Sequence, residues 1–201
     1  SPFSRLFVQA AHQAGVPIRH DFNGAHQAGA GLYQVTHKAG ERHTVAKAYL
    51  TPAVRARKNL QIITHAQVEK VVIEGKRATG VVYTDRSGKK HTVTARKEIV
   101  LSGGAINSPQ ILMLSGIGEA AQLAENGIEV MQDLPGVGKN MQDHLQARLV
   151  YKCNEPTLND EVGTLFGQAK IGLKYPMFRS GPMTMAASLA TGFMKTREDM
   201  E

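Results

Sequence analysis

Glu98-Ile99-Val100-Leu101 runs without a break into Ser102-Gly103-Gly104-Ala105 and then Ile106-Asn107-Ser108-Pro109-Gln110-Ile111-Leu112-Met113-Leu114-Ser115-Gly116. The opening residues close in a short run apolar on both faces, the pattern of a strand buried in a parallel sheet. Small residues then make a turn. Ser108 is placed to cap a helix, with Pro109 at the first helical position that proline favours. Gly116 and Gly118 stop that helix, and Glu119 to Asn126 predicts a second short one closed by Gly127. A strand, a small-residue turn and a helix start in succession put backbone N–H groups where an anion or a nucleotide can meet them. Alone the signal is weak, because many α/β connections use small residues only for close packing.

Upstream, the chain reads as strands. Leu60 to Thr64 leads into Val68 to Glu74 and a Gly75-Lys76 turn. Thr79–Thr84 and Lys90–Thr94 flank Asp85-Arg86-Ser87-Gly88-Lys89, a short-hairpin loop. Further back, Leu6 to Ala14 has helical spacing, with Ser4 as N-cap and Gly15 as stop. Residues 21–52 are Gly-rich, and such a stretch lets backbone approach a neighbour closely. Helical spacing returns from Val45 to Leu50, and Pro52 opens the next helical turn. Downstream, residues 133–144 form a polar, turn-rich segment and Leu145 to Cys153 alternates as a strand. Met177, Met183, Met185 and Met194 then recur among Gly and Ala, a soft set that fills core gaps or adapts to an apolar ligand. The fold class is therefore α+β or α/β, with a β-meander and a βα unit.

The composition narrows the function classes. The chain has 201 residues, 42% hydrophobic and 20% charged, which excludes a disordered chain, a collagen-like repeat and a coiled coil. No run approaches the ~18 apolar residues of a membrane helix. Lys+Arg 24 against Asp+Glu 17 gives +7, but the charge is diffuse, 5% of residues are aromatic and Trp is absent. No nucleic-acid partner is expected without a basic patch or a stacking platform. The single Cys153 excludes an intramolecular disulfide and sits without an activating partner. None of the eight histidines stands three or four residues from another, so no helical metal pair exists. Asp143 and His144 are adjacent, and on a strand they would point to opposite faces. Neither a G-x-S-x-G elbow nor a G-x-x-x-x-G-K-[ST] loop occurs. Spacing alone discloses no reaction. Both chain ends read as cut, so a piece of something larger is expected, in the cytoplasm rather than secreted.

Several blocks together resemble the glucose–methanol–choline (GMC) family of flavin oxidoreductases. Gly104-Ala105-Ile106-Asn107-Ser108-Pro109 through Ser115-Gly116-Ile117-Gly118 fits the family's second signature. Asp133-Leu134-Pro135-Gly136-Val137-Gly138 and Asn140-Met141-Gln142-Asp143-His144 match the next block, with Met141 where Leu is usual. Asp21-Phe22-Asn23-Gly24, Gly31-Leu32-Tyr33-Gln34 and Ala46-Lys47-Ala48-Tyr49-Leu50 fit the stretch upstream. The similarity runs from about residue 1 to 153, nearest the choline dehydrogenase-like and alcohol dehydrogenase-like branch.

The resemblance implies FAD as cofactor and a small-molecule alcohol as substrate, with the electron acceptor left open. It implies residues 1–54 as substrate-domain segment, 55–132 as part of the FAD-binding domain, and 133–201 as cofactor-proximal loop and start of the substrate domain. Val68 matches the family valine whose backbone meets the adenine end of FAD. Ser102, Gly103 and Gly104 match the small-residue turn beside the nucleotide. Asn140, Asp143 and His144 lie in the loop near cofactor and substrate entrance. No catalytic residue is carried over, because the family's catalytic His maps beyond Glu201 and its G-x-G-x-x-G motif does not occur here. One departure concerns substrate: choline-specific members carry Glu two residues after Asp-His, and this chain has Gln146. The alternatives at this stage are a non-catalytic binding module or a lyase on the same fold.

Overall fold

The computed structural model describes residues 2–152, 154–186, 188–197 and Asp199. Cys153 lies outside the described residues. In chain order the elements are α1 (Pro2–Gln13), β1 (Gly29–Leu32), β2 (His37–Lys38), β3 (Glu41–Arg42), α2 (Val45–Tyr49) and α3 (Pro52–Arg55). Next come β4 (Gln67–Glu74), β5 (Arg77–Thr84), β6 (Lys90–Thr94), α4 (Gly104–Leu114), β7 (Ile117–Gly118), α5 (Ala120–Glu125) and β8 (Gln132–Asp133). The chain closes with α6 (Leu158–Val162), α7 (Leu165–Phe178), a 3₁₀ turn Pro182–Thr184 and β9 (Ala190–Phe193). They gather into two units, Ser1–Leu60 with Val150–Glu201, and Gln61–Leu149.

In the first unit, α1 ends where Gly15 was expected to stop it. Gly15 donates to the His12 carbonyl and Val16 to the Ala11 carbonyl, both at 2.9 Å, satisfying two of the helix's last carbonyls. The helix starts at Pro2, however, so Ser4 is buried inside it rather than capping it. β1 pairs antiparallel with β9, Ala30 opposite Gly192. On its other side Ala30 donates to the Pro17 carbonyl and accepts from Arg19, each at 2.8 Å. The Gly-rich composition follows from this double pairing. A Cβ at Gly31 would lie 2.0 Å from the Arg19 carbonyl oxygen, and one at Gly29 would lie 2.6 Å from that of Pro17. α2 and α3 form as the sequence predicts, with Thr44 and Thr51 accepting N–H bonds at their starts and Pro52 opening α3.

The second unit is built on the predicted meander, β4-β5-β6, all antiparallel. The hairpin loop is held by Asp85, which accepts from the Ser87 and Lys89 N–H groups at 2.8 and 3.1 Å. α4 packs on β4. Beyond it, β7 pairs in parallel with β8, Ile117 opposite Gln132.

Four further local expectations fail. Leu60–Thr64, Glu98–Leu101 and the described part of Leu145–Cys153 form no strand. Val100 is 75% exposed, and Leu145 is fully exposed. A strand is stabilised by ladder partners and a covered face, and no strand among the described residues lies beside these segments. So the βα unit is present only as an irregular segment followed by its helix. The fourth miss is Ser108, which lies one turn inside α4. It works backwards instead, accepting the Gly103 N–H at 2.9 Å.

Candidate functional site

The second unit holds a cleft of about 740 Å³ between the first turns of α4 and the loop that follows β8. Ala105, Ile106 and Pro109 face it from the helix, and Gly136, Asn140 and Met141 from the loop. Its position depends on how α4 and the loop are fastened.

Ser115, at the end of α4, is buried, and its hydroxyl joins the helix to the sheet. Its Oγ accepts the Val71 N–H at 2.8 Å and donates to the Ile111 carbonyl at 2.5 Å. β4 is the outer strand of the meander, so this N–H has no ladder partner on that side. Gly116 then turns the chain. Its carbonyl accepts from Met131 and Gln132 at 2.8 and 3.1 Å, which starts the β7–β8 pair. The loop is held by three further contacts. Asp133 Oδ1 accepts the first N–H of α5, from Ala120, at 3.0 Å. Lys139 pairs with Glu119 at 2.7 Å. Met113 reaches from α4 to lie against both Gly118 and Gly138, where added Cβ atoms would come within 3.1 and 3.2 Å of it. The signature residues S-G-I-G and the D-L-P-G-V-G block therefore have a direct structural meaning: together they hold one wall of the cleft against the other.

We expect Ser115→Ala to cost about 1–3 kcal/mol, because a buried Val71 N–H would lose its acceptor. Urea unfolding monitored on the second unit measures it, and a change below about 0.5 kcal/mol would mean that water replaces the hydroxyl.

Of the residues selected from sequence, Asn140 lines the cleft, with a left-handed backbone at φ 58°. Ser102, Gly103 and Gly104 form the turn that leads into α4. Gly104 sits at φ +84° with nothing within 4 Å of where a Cβ would stand, whereas a Cβ at Gly103 would press on Asn107 at 3.0 Å. Thus Gly103 is explained by local packing, while Gly104 leaves open space at the helix start. Val68 is half-buried on β4 opposite Tyr83, three residues before the strand's tie to Ser115. Asp143, His144 and Gln146 are exposed and outside the cleft lining, and Asp143 accepts the N–H of His144 at 2.8 Å. Met113, Ser115, Gly138 and Lys139 escaped the sequence reading as site-forming residues. The repeated G-x-G steps at 116–118 and 136–138 were their only signal.

The perturbed carboxylates lie elsewhere. Hydrogen bonds from Ser87 and His91 hold Asp85 well below the usual carboxylate range, and Lys47 then Arg179 lower Glu41. Both carboxylates are half-buried and paired away from the cleft. Among the described residues no group of three His, Cys, Asp or Glu is placed to hold a metal ion, and no helix is long and apolar enough to cross a membrane.

A family model described as GMC oxidoreductase matches residues 1–146, which include the cleft and its fastenings. The chain belongs to the GMC oxidoreductase family. It is 41% identical to an alcohol dehydrogenase [acceptor] of Pseudomonas putida and 40% identical to an oxygen-dependent choline dehydrogenase of Brucella anthropi. Both matches cover all of this chain but only 37% and 36% of those proteins, so it spans about a third of their length. In structure it matches an FAD-dependent oxidoreductase from Chaetomium thermophilum with a TM-score of 0.78 at 30% identity, over 96% of this chain and 34% of that one. The GMC resemblance drawn from the signature blocks and the mixed α/β fold class are both borne out.

Proposed function

We propose that this chain is part of an FAD-dependent oxidoreductase that oxidises a primary alcohol, and that the cleft beside α4 faces the cofactor. One observation carries the reading: within a GMC chain, the start of α4 combines unpaired first-turn N–H groups, an open glycine turn and an adjoining cleft. A helix start of this kind suits an anionic group such as a pyrophosphate. Ser102, Gly103 and Gly104 would receive the nucleotide, Val68 would meet its adenine end, and Asn140, Asp143 and His144 would border the entrance. Flavin, when bound, supplies the acceptor for hydride from the alcohol carbon. This chain's residues bind, orient and enclose; removal of the alcohol proton falls to a His outside it. In this reading residues 55–132 belong to the FAD domain, 1–54 to the substrate domain, and 133–201 to the cofactor-proximal loop and the start of the substrate domain.

Gln146 sets the substrate preference in this proposal. A neutral amide offers no charge to a trimethylammonium group, so neutral alcohols are preferred over choline. In the complete protein, Gln146→Glu is expected to raise the choline-to-neutral-alcohol ratio of kcat/KM on the order of tenfold. An unchanged ratio removes Gln146 from the specificity argument.

The decisive experiment mixes the complete protein anaerobically with a panel of alcohols and choline while the visible flavin absorbance is followed. Bleaching by a neutral alcohol is the expected result. Bound flavin that no alcohol bleaches would favour lyase chemistry, and a purified protein without flavin would favour a non-catalytic binding role.

A further inference from the structure

We propose that the first unit carries a binding site for a small organic anion, a carboxylate on an apolar or aromatic body, in the cavity between α1 and β1. The cavity has a volume of about 450 Å³, within the range of small-molecule sites. Arg5, Arg19 and His20 line it together with Ile18, Leu32 and Tyr33. That is two guanidiniums and an imidazole above an apolar floor, and no carboxylate is among the lining residues. No ion pair among the described residues involves Arg5 or Arg19. Asp21, the acid nearest in sequence to Arg19, is engaged by the N–H of Asn23 at 2.9 Å.

Arg19 is the residue that makes this more than a cationic surface. Its Nε donates to the Ala28 carbonyl at 2.7 Å, which fixes the plane of the guanidinium while leaving its terminal nitrogens unpaired. The side chain lies across β1 because position 29 is glycine; a Cβ there would stand 2.4 Å from Arg19 Cγ. A half-buried guanidinium held in one orientation loses little entropy when it binds a carboxylate through two parallel hydrogen bonds. Arg5, on α1, supplies a second charge from the opposite wall. The apolar floor and Tyr33 distinguish an organic carboxylate from a bare anion.

The test uses the complete protein, labelled with ¹⁵N-arginine and observed at the Arg19 Nε–H resonance, titrated with benzoate, with benzamide and with inorganic phosphate. Benzoate is expected to shift that resonance saturably, with benzamide and phosphate each binding at least about tenfold more weakly. Arg5→Gln lies on an exposed helix face and preserves the fold; it should weaken benzoate about tenfold. Equal binding of benzamide would overturn the charge requirement, and equal binding of phosphate would overturn the apolar one. An Arg5→Gln variant with unchanged affinity overturns the two-cation site. Absence of a hydrogen-bonded Arg19 Nε–H signal removes the fixed guanidinium and overturns the proposal as well.

Discussion

Gly116→Ala is expected to destabilise the second unit by about 3–5 kcal/mol, and Gly127→Ala by only about 1–2 kcal/mol. Both residues have positive φ, +83° and +68°. A side chain pays the same left-handed penalty at each. The surroundings differ. A Cβ at Gly116 would stand 2.4 Å from the Glu129 carbonyl oxygen and 2.7 Å from Met131 Cγ, whereas at Gly127 nothing lies within 4 Å. Moving the chain to relieve the Gly116 clash would break the bonds its carbonyl accepts from Met131 and Gln132. It would also pull on neighbouring Ser115, the tie between α4 and β4. A loss of 3–5 kcal/mol is a large part of the 5–15 kcal/mol that ordinarily separates folded from unfolded. Urea denaturation of the two variants side by side measures the difference. Equal losses would show that the backbone conformation alone, and not the approach of residues 129–131, requires glycine at 116.

That contrast also marks what the sequence could and could not tell. Elements whose stabilising contacts are local were legible. The meander β4-β5-β6 announces itself through its short strand runs and the Asp85–Lys89 hairpin loop, α2 through helical spacing and α3 through Pro52 at its start. The end of α1 at Gly15 was legible for the same reason. Elements that depend on distant partners were misread. Ile99-Val100-Leu101 and Leu145 to Lys152 carry strand patterns but have no strand beside them among the described residues. Pattern reports which faces need cover, not whether the cover is in the same chain. Ser108 misled because Ser-Pro is an N-cap signature, yet the turn begins at Gly103 and uses the serine hydroxyl from within the helix. The site was legible in part. The turn at 102–104 and Asn140 could be selected from motifs. Ser115, Met113 and Gly138 stand in the signature blocks, but their roles could not be read there, because they arise from contacts to Val71, Gly118 and the loop after β8, which no local pattern encodes.

The 201-residue chain alone is expected to retain no FAD through purification and to oxidise neither alcohols nor choline. The α4 start offers one helix N-terminus and a cleft open along one side. A dinucleotide held only there would make a few charge-assisted hydrogen bonds, each worth about 1.5–3 kcal/mol, against the several kcal/mol lost on immobilising a large flexible ligand. Glu98–Leu101, which leads directly into the turn at 102–104, forms no strand and leaves Val100 exposed, so among the described residues no ladder bonds hold that turn from the strand side. The loop past Asn140 runs out through Met141, Leu145 and Leu149, all largely exposed, and offers no cover to a flavin ring. No oxidation is expected for a simpler reason: no histidine is among the residues that line the cleft, and removal of an alcohol proton needs a base within reach. Flavin absorbance of the purified chain, followed by dialysis against FAD, tests this directly. Stoichiometric retention of flavin would show that α4, β4 and the loop after β8 form a self-sufficient cofactor site. It would show that cofactor retention does not require the two thirds of the relatives' length that this chain does not span.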